Sequence, residues 1–176
     1  MKFGILLLAA LLSAIPAHVS DNAQNSHYKL ILDDMDSSSR STSLHVHDRK
    51  TEVETDSRHF DFDSQFRGLF TSWSPKGTYF AITFDSGTST KLVIYRLDSA
   101  GHLHELKFPP IPEKFLPEKP DSFGGIVFTR WLSSNLFQAE ERHKISKSGD
   151  PDIYYTFQIT DDDTVTAVRS KITDDL

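Results

Sequence analysis

The sequence predicts an all-β protein built from consecutive four-stranded antiparallel meanders. Two observations carry this expectation. The segment FTSWSPKGTYF, Phe70 to Phe80, returns as FTRWLSSNLFQ, Phe128 to Gln138. The runs TYFAITF and KLVIYRL are β-branched and aromatic, have strand length, and place apolar residues on both faces. Strands of that kind are covered on both sides, whereas a half-wet sheet alternates apolar and polar.

The chain of 176 residues is read as one domain, 21–176, behind an export signal at 1–20. Lys2 supplies a positive start, FGILLLAALL an apolar stretch, and SAIPAHVS a small-residue stretch suited to cleavage. The apolar stretch falls well short of the roughly 20 residues that a bilayer core requires. Cleavage after Ala17 fits best, because Ile15 and Ala17 occupy the two recognised positions. A cut after Ser20 would place His18 in one of them.

A first meander is expected over 27–56. HYKLILDD and TSLHVHDR read as strands joined by the Ser-rich MDSSSRS, with RKTEVETD as the outer strand. FDFDSQF, Phe60 to Phe66, alternates aromatic and acidic and is read as an edge strand sealing that meander. The second meander, 66–108, opens with the Trp73 strand. Its SPKG has Pro75 at i+1 and Gly77 at i+3, the chemistry of a type I turn. DSAG then turns KLVIYRL into HLHEL. Segment 109–125 carries all five prolines of FPPIPEKFLPEKPDSFGG, so it is read as an extended connector without ladder bonds. The third meander, 126–172, repeats the second. Phe128 to Trp131 aligns with Phe70 to Trp73. Tyr79 then aligns with Phe137, Ala81 with Ala139, and IYRLDSAGHLHEL with TFQITDDDTVTAV. The second turn, LSSN, is expected to keep the length of the first.

A strand ending in Trp-Ser-Pro-x-Gly, then an apolar strand and LVIYRLD, resembles a blade of the TolB or WD40-like β-propeller proteins. The resemblance covers Phe70 to Leu106 and Phe128 to Val168, with a fainter copy at Tyr28 to Thr55. It implies four-stranded blades packed face to face. Blades take about 40–45 residues and closed rings at least about four blades. This chain holds two and a half to three, too few to close a ring. The expectation is an open monomeric stack capped by the connector. The alternatives are a ring completed by several copies, or a two-sheet β-sandwich.

The formal charge is −6, and no basic stripe appears, which argues against nucleic acid and anionic lipid as partners. No later segment is apolar enough for membrane insertion. Cysteine is absent, which removes thiol chemistry, zinc–thiolate sites and disulfides. A cysteine-free exported chain points to a periplasmic or secreted setting.

The candidate site residues are two His-x-His pairs, His45 with His47 and His102 with His104. Residues i and i+2 of a strand project from one face, so each pair can present two imidazoles to zinc or copper. The competing reading is solvated strand histidines. The acidic loops DDMDSSS and TDDDT lack the spacing and Gly of a calcium loop and are read as hairpin tips. Glu113, Glu118, Glu140 and Glu141 are read as solvated rather than as an acid–base couple. Neither a nucleophile elbow nor a phosphate-cradling loop is present. The function expected is therefore binding of a protein or cell-envelope partner, with no cofactor and no catalysis. The alternatives are metal binding through the four histidines, or a small hydrolase whose site is built from the loops after Asp33, Asp85 and His143.

Overall fold

The computed structural model describes residues 18–20, 25, 27–33, 40–61, 68–85, 90–115, 123–143 and 152–173. They form three antiparallel sheets of four strands, none closed into a barrel. The first contains β1 (His18–Ser20), β2 (Tyr28–Leu32), β3 (Ser41–Asp48) and β4 (Glu54–Asp61). The second contains β5 (Gly68–Trp73), β6 (Tyr79–Asp85), β7 (Thr90–Leu97) and β8 (Leu103–Glu105). The third contains β9 (Phe123–Trp131), β10 (Leu136–His143), β11 (Asp152–Ile159) and β12 (Val165–Thr173). In each sheet the strands lie in sequence order, so every sheet is a simple meander.

The sheets stack in series, and the second is covered on both faces. Phe80, Ile82 and Phe84 of β6, with Val93, Tyr95 and Leu97 of β7, share one core with Leu30, Leu32, Leu44 and Val46 of the first sheet. Ala81 and Ile94, from the opposite face of the same two strands, share another with Phe137, Ala139, Tyr155 and Phe157 of the third. This is the physical reason that TYFAITF and KLVIYRL lack alternation: the centres of both strands, Phe80 to Phe84 and Val93 to Tyr95, are buried on both faces.

The two tryptophans hold corresponding places. Each ends the first strand of its sheet and lies opposite an aromatic on the next strand, Trp73 opposite Phe80 and Trp131 opposite Phe137. The ring separations are 5.2 Å and 5.4 Å. Trp73 lies in the core between the first two sheets and Trp131 against the core between the last two. The Trp131 indole N–H donates to the Ser72 carbonyl, tying the repeats together.

Four details differ from the sequence expectation. First, Phe137 corresponds to Phe80, not to Tyr79, and Ala139 does not correspond to Ala81. The first turn pairs Ser74 with Tyr79, whereas the second pairs Leu132 with Leu136 and is one residue shorter. A lost Pro is accompanied by a lost residue. Second, Arg49 to Val53 form the β3–β4 turn, so the outer strand of the first sheet is Glu54–Asp61 rather than RKTEVETD. Its end takes in Phe60, whose ring lies 4.6 Å from Phe84, and Asp61; Phe62 to Phe66 of FDFDSQF lie outside the described residues. Third, β9 begins at Phe123, three residues before the expected third meander. Gly125 there has φ 124°, and a Cβ would stand 2.5 Å from the Thr90 carbonyl oxygen, so only glycine permits this approach to β7. Fourth, β1 occupies His18 to Ser20, inside the segment expected to be signal.

The connector leaves the second sheet at Lys107, which makes a short parallel bridge to Thr164 of the third. Phe108 then packs on Phe157 at 5.0 Å, and Ile111 and Phe115, the latter in a 3-10 turn, lie against the same core.

Side chains also lock the sheets edgewise. Asp56 and Arg58 of β4 point toward the second sheet. The Asp56 carboxylate accepts the Leu103 N–H at 2.7 Å, and Arg58 Nη2 donates to the Leu103 carbonyl at 2.6 Å. Together they satisfy one residue of the β8 edge as a neighbouring strand would. On the other side Arg96 meets Asp163 at 2.7 Å, and the Phe128 N–H donates to Thr83 Oγ1.

The stack ends in polar faces. The first sheet turns Lys29, Ile31, Ser43, His45, His47 and Glu54 away from the second, and the third turns Arg130, Gln138, Glu140, Tyr154 and Lys171 away from it. Polar outer faces are what terminal repeats of a stacked array carry. The purified protein should therefore sediment with the mass of one chain; a stable oligomer would show that copies close on these faces. Phe80→Ala and Phe137→Ala should each cost about 3–5 kcal/mol in urea unfolding. Phe70→Ala, at a side chain 53% exposed, should stay within about 0.5 kcal/mol.

Candidate functional site

Four of the described hairpin turns at one end of the stack combine an oxygen-bearing side chain that accepts hydrogen bonds within the turn with a left-handed residue near its end; the Leu132–Leu136 turn has no left-handed residue. Ser74 opens the first, accepting the Gly77 and Tyr79 N–H groups through its carbonyl and hydroxyl oxygens. Asp98 opens the next and accepts N–H groups from Ala100 and His102. Asp48 accepts those of Lys50 and Thr51, and Asp162 takes the hydroxyls of Thr160 and Thr164. The left-handed positions hold Gly77, Gly101, Glu52 and Asp163. The TDDDT tip thus spends its oxygens within the turn, as expected of a hairpin tip.

A cleft of about 470 Å³ opens between the first and second sheets at this end. Asn25, His27 and Tyr28 form one wall, and Lys76, Thr78, Asp98 and Ser99 the other. Asn25 is fixed by donating to the Gly77 carbonyl, and Tyr28 by donating its hydroxyl to the Ser99 carbonyl at 2.9 Å. His27 and Lys76 are exposed at the rim. Sequence reasoning passed over this cleft, because its walls are adjacent only after two sheets have stacked.

The histidine pairs fall on different sheets. His102 and His104 flank Leu103 at the start of β8, and both turn to Asp98: His104 Nε2 at 2.8 Å and His102 Nδ1 at 3.7 Å. The hydrogen bond from His104 is the largest cause holding the Asp98 carboxyl well below the usual carboxylate range, followed by the His102 N–H. His45 and His47 share the outward face of β3, with ring centroids 6.4 Å apart. Here the partners are different. His45 Nδ1 lies 2.9 Å from Glu54 Oε2, and its Nε2 lies 3.2 Å from Asp33. His47 Nε2 is 3.9 Å from the same Glu54 oxygen, and its Nδ1 is 3.2 Å from the Glu52 carbonyl. The expectation that each His-x-His pair shares a face holds on β3. The four imidazoles, however, share no carboxylate. Among the described residues, no group of three or more His, Asp or Glu side chains stands placed to hold a metal ion.

Glu141 was expected in solvent but is buried, because it stands on the inward face of β10. It accepts the Tyr155 hydroxyl at 2.6 Å, and burial followed by this bond pushes the Tyr155 pKa up. Glu140 occupies the opposite face and is half-buried. The side chain of Glu113, and all of Glu118, lie outside the described residues, as do the loops that follow Asp33, Asp85 and His143.

No family model matches this chain, and no curated protein matches its sequence.

Folding lowers the pKa values of Asp48, Asp98 and Asp162 from an ordinary 3.8. Their hydrogen bonds thus add stability above that value, and the contribution disappears as pH falls through the folded values. Thermal melts should show Tm falling below about pH 4. Asp98→Ala should lower Tm by a few degrees at neutral pH and flatten the acid limb; an unchanged limb would show that Asp98 does not contribute.

Proposed function

We propose that this is an exported, soluble β-repeat protein that acts by binding a protein or cell-envelope partner, in the periplasm or outside the cell, and not by catalysis. The cleft between the first and second sheets carries this reading. It combines a fixed aromatic wall with a cationic Lys76 and an imidazole at its rim, groups suited to gripping a polar or acidic segment. Its walls are held by backbone-directed hydrogen bonds from Asn25 and Tyr28, so it is preorganised. The signal-like start of the chain supports export. A cut after Ala17 leaves β1 whole, whereas a cut after Ser20 removes it. The blade resemblance of the Trp73 and Trp131 repeats supports a binding role in the same sense, since stacked sheets present their turns together at one end.

A photo-crosslinking residue placed at Lys76 should capture one discrete partner from envelope extract. His27→Ala should weaken that capture, while Arg130→Ala, on the far face of the third sheet, should leave it unchanged. Absence of any discrete crosslink, or equal capture from a probe at Arg130, would overturn the reading.

A further inference from the structure

The outward face of the first sheet carries a second arrangement, independent of the cleft. Its origin is a β-bulge. Register runs Val46 opposite Asp56 but His47 opposite Glu54, so β4 has one residue more than β3 at this point. The extra residue, Thr55, donates its hydroxyl to the Val46 and Gly101 carbonyls. Without the bulge, Thr55 would face His47. With it, the carboxylate of Glu54 is delivered to the histidine face, and bulges commonly re-aim side chains in this way.

Each imidazole then has one nitrogen held from behind and the other facing Glu54. His45 is held at Nε2 by Asp33 and faces Glu54 through Nδ1. His47 is held at Nδ1 by the Glu52 carbonyl and faces Glu54 through Nε2. A metal-bound histidine typically shows this pattern, donating its other N–H to a carboxylate or backbone carbonyl, which fixes the ring and raises its basicity. Lys29, opposite His47 in register, is occupied by an ion pair with Glu52. The three inward-facing atoms are two imidazole nitrogens and one carboxylate oxygen, a set that suits zinc and leaves a coordination position open to water.

The geometry points to a Zn2+ site formed by His45 Nδ1, His47 Nε2 and Glu54 Oε2, with Asp33 and the Glu52 carbonyl as its outer supports. His102 and His104 do not belong to it. Their nitrogens converge on Asp98, whose carboxylate already accepts two backbone N–H groups in its own turn. Loading requires the 3.9 Å gap between His47 and Glu54 to close toward ligand spacing. That movement falls on side chains at a sheet surface, where Glu54 is 45% exposed, and disturbs no core contact.

The test is titration of the untagged, full-length purified protein with Zn2+ by calorimetry, with Co2+ as a visible-absorption probe of coordination. Wild type should bind one equivalent, and Co2+ should show the bands of a low-coordinate nitrogen–oxygen site. His47→Ala and the near-isosteric Glu54→Gln should abolish both signals, and Asp33→Asn should weaken affinity by about 10-fold. The His102→Ala, His104→Ala double variant should bind as wild type does. Tryptophan-fluorescence melts of each variant establish that it is folded before titration. No uptake by folded wild type, full binding by Glu54→Gln or His47→Ala, or loss of binding in the β8 double variant would each overturn the assignment.

Discussion

Everything in this molecule depends on the second sheet having no solvent face. Phe80 and Tyr95 are cross-strand neighbours on one side, Ala81 and Ile94 on the other, and all four are buried. The two sides are not alike. The face toward the first sheet is filled by large side chains, including Phe80, Ile82, Phe84 and Tyr95. The face toward the third presents Ala81, Thr83 and Ile94 beneath the rings of Phe137, Tyr155 and Phe157. Large groups on one sheet meet small ones on the next, which is how close packing is reached without voids. A single meander has one face too many to bury, so the second sheet cannot persist without both neighbours.

Stacking creates a problem at the margins, and the charged residues address it. A sheet edge offers unpaired backbone groups to any passing chain. At β8 the exposure is met by two side chains of opposite charge, Asp56 and Arg58, which bracket Leu103 as acceptor and donor. At the opposite interface, Arg96 and Asp163 fasten a turn of the third sheet to β7, while the Lys107 bridge brings the connector alongside Thr164. The ion pairs are partly exposed, so their value lies in alignment more than in energy. They fix where each sheet slides to a stop over its neighbour.

The sequence displayed what burial writes strongly and concealed what geometry writes locally. Two-sided apolar runs and a repeated Trp sufficed to expect stacked meanders, because both follow from residue composition. The one-residue difference between the Ser74 and Leu132 turns was invisible: an ungapped alignment of FTSW with FTRW extends naturally into the wrong aromatic. β4 was misplaced for a related reason. Its inward residues include Asp56 and Arg58, so the strand shows no apolar period to read. The same limit applies to the candidate sites. The shared face of His45 and His47 could be read from their spacing, but Glu54 reaches them through a bulge and Asp33 through the end of a different strand. The cleft depends on two sheets meeting, which no local pattern encodes.

Where function can reside follows from this packing. The interfaces between sheets are occupied by Trp73, Phe80, Tyr95, Phe137 and Phe157, leaving no room for a ligand without loss of the fold. On the proposed binding role, a partner would meet the turn ends, the edges and the two terminal faces. At the turn end, oxygen-bearing side chains are consumed in shaping the backbone, so what remains for a ligand is the space between the turns, bounded by His27, Tyr28 and Lys76. On the terminal face of the first sheet the side chains are free of packing duty, and their positions are set by register alone. The bulge is anchored on its other side, where the extra residue Thr55 donates to the Gly101 carbonyl in the last turn of the second sheet. The position at which β3 and β4 fall out of step is therefore one where this fold can gather polar groups of different strands into a single cluster.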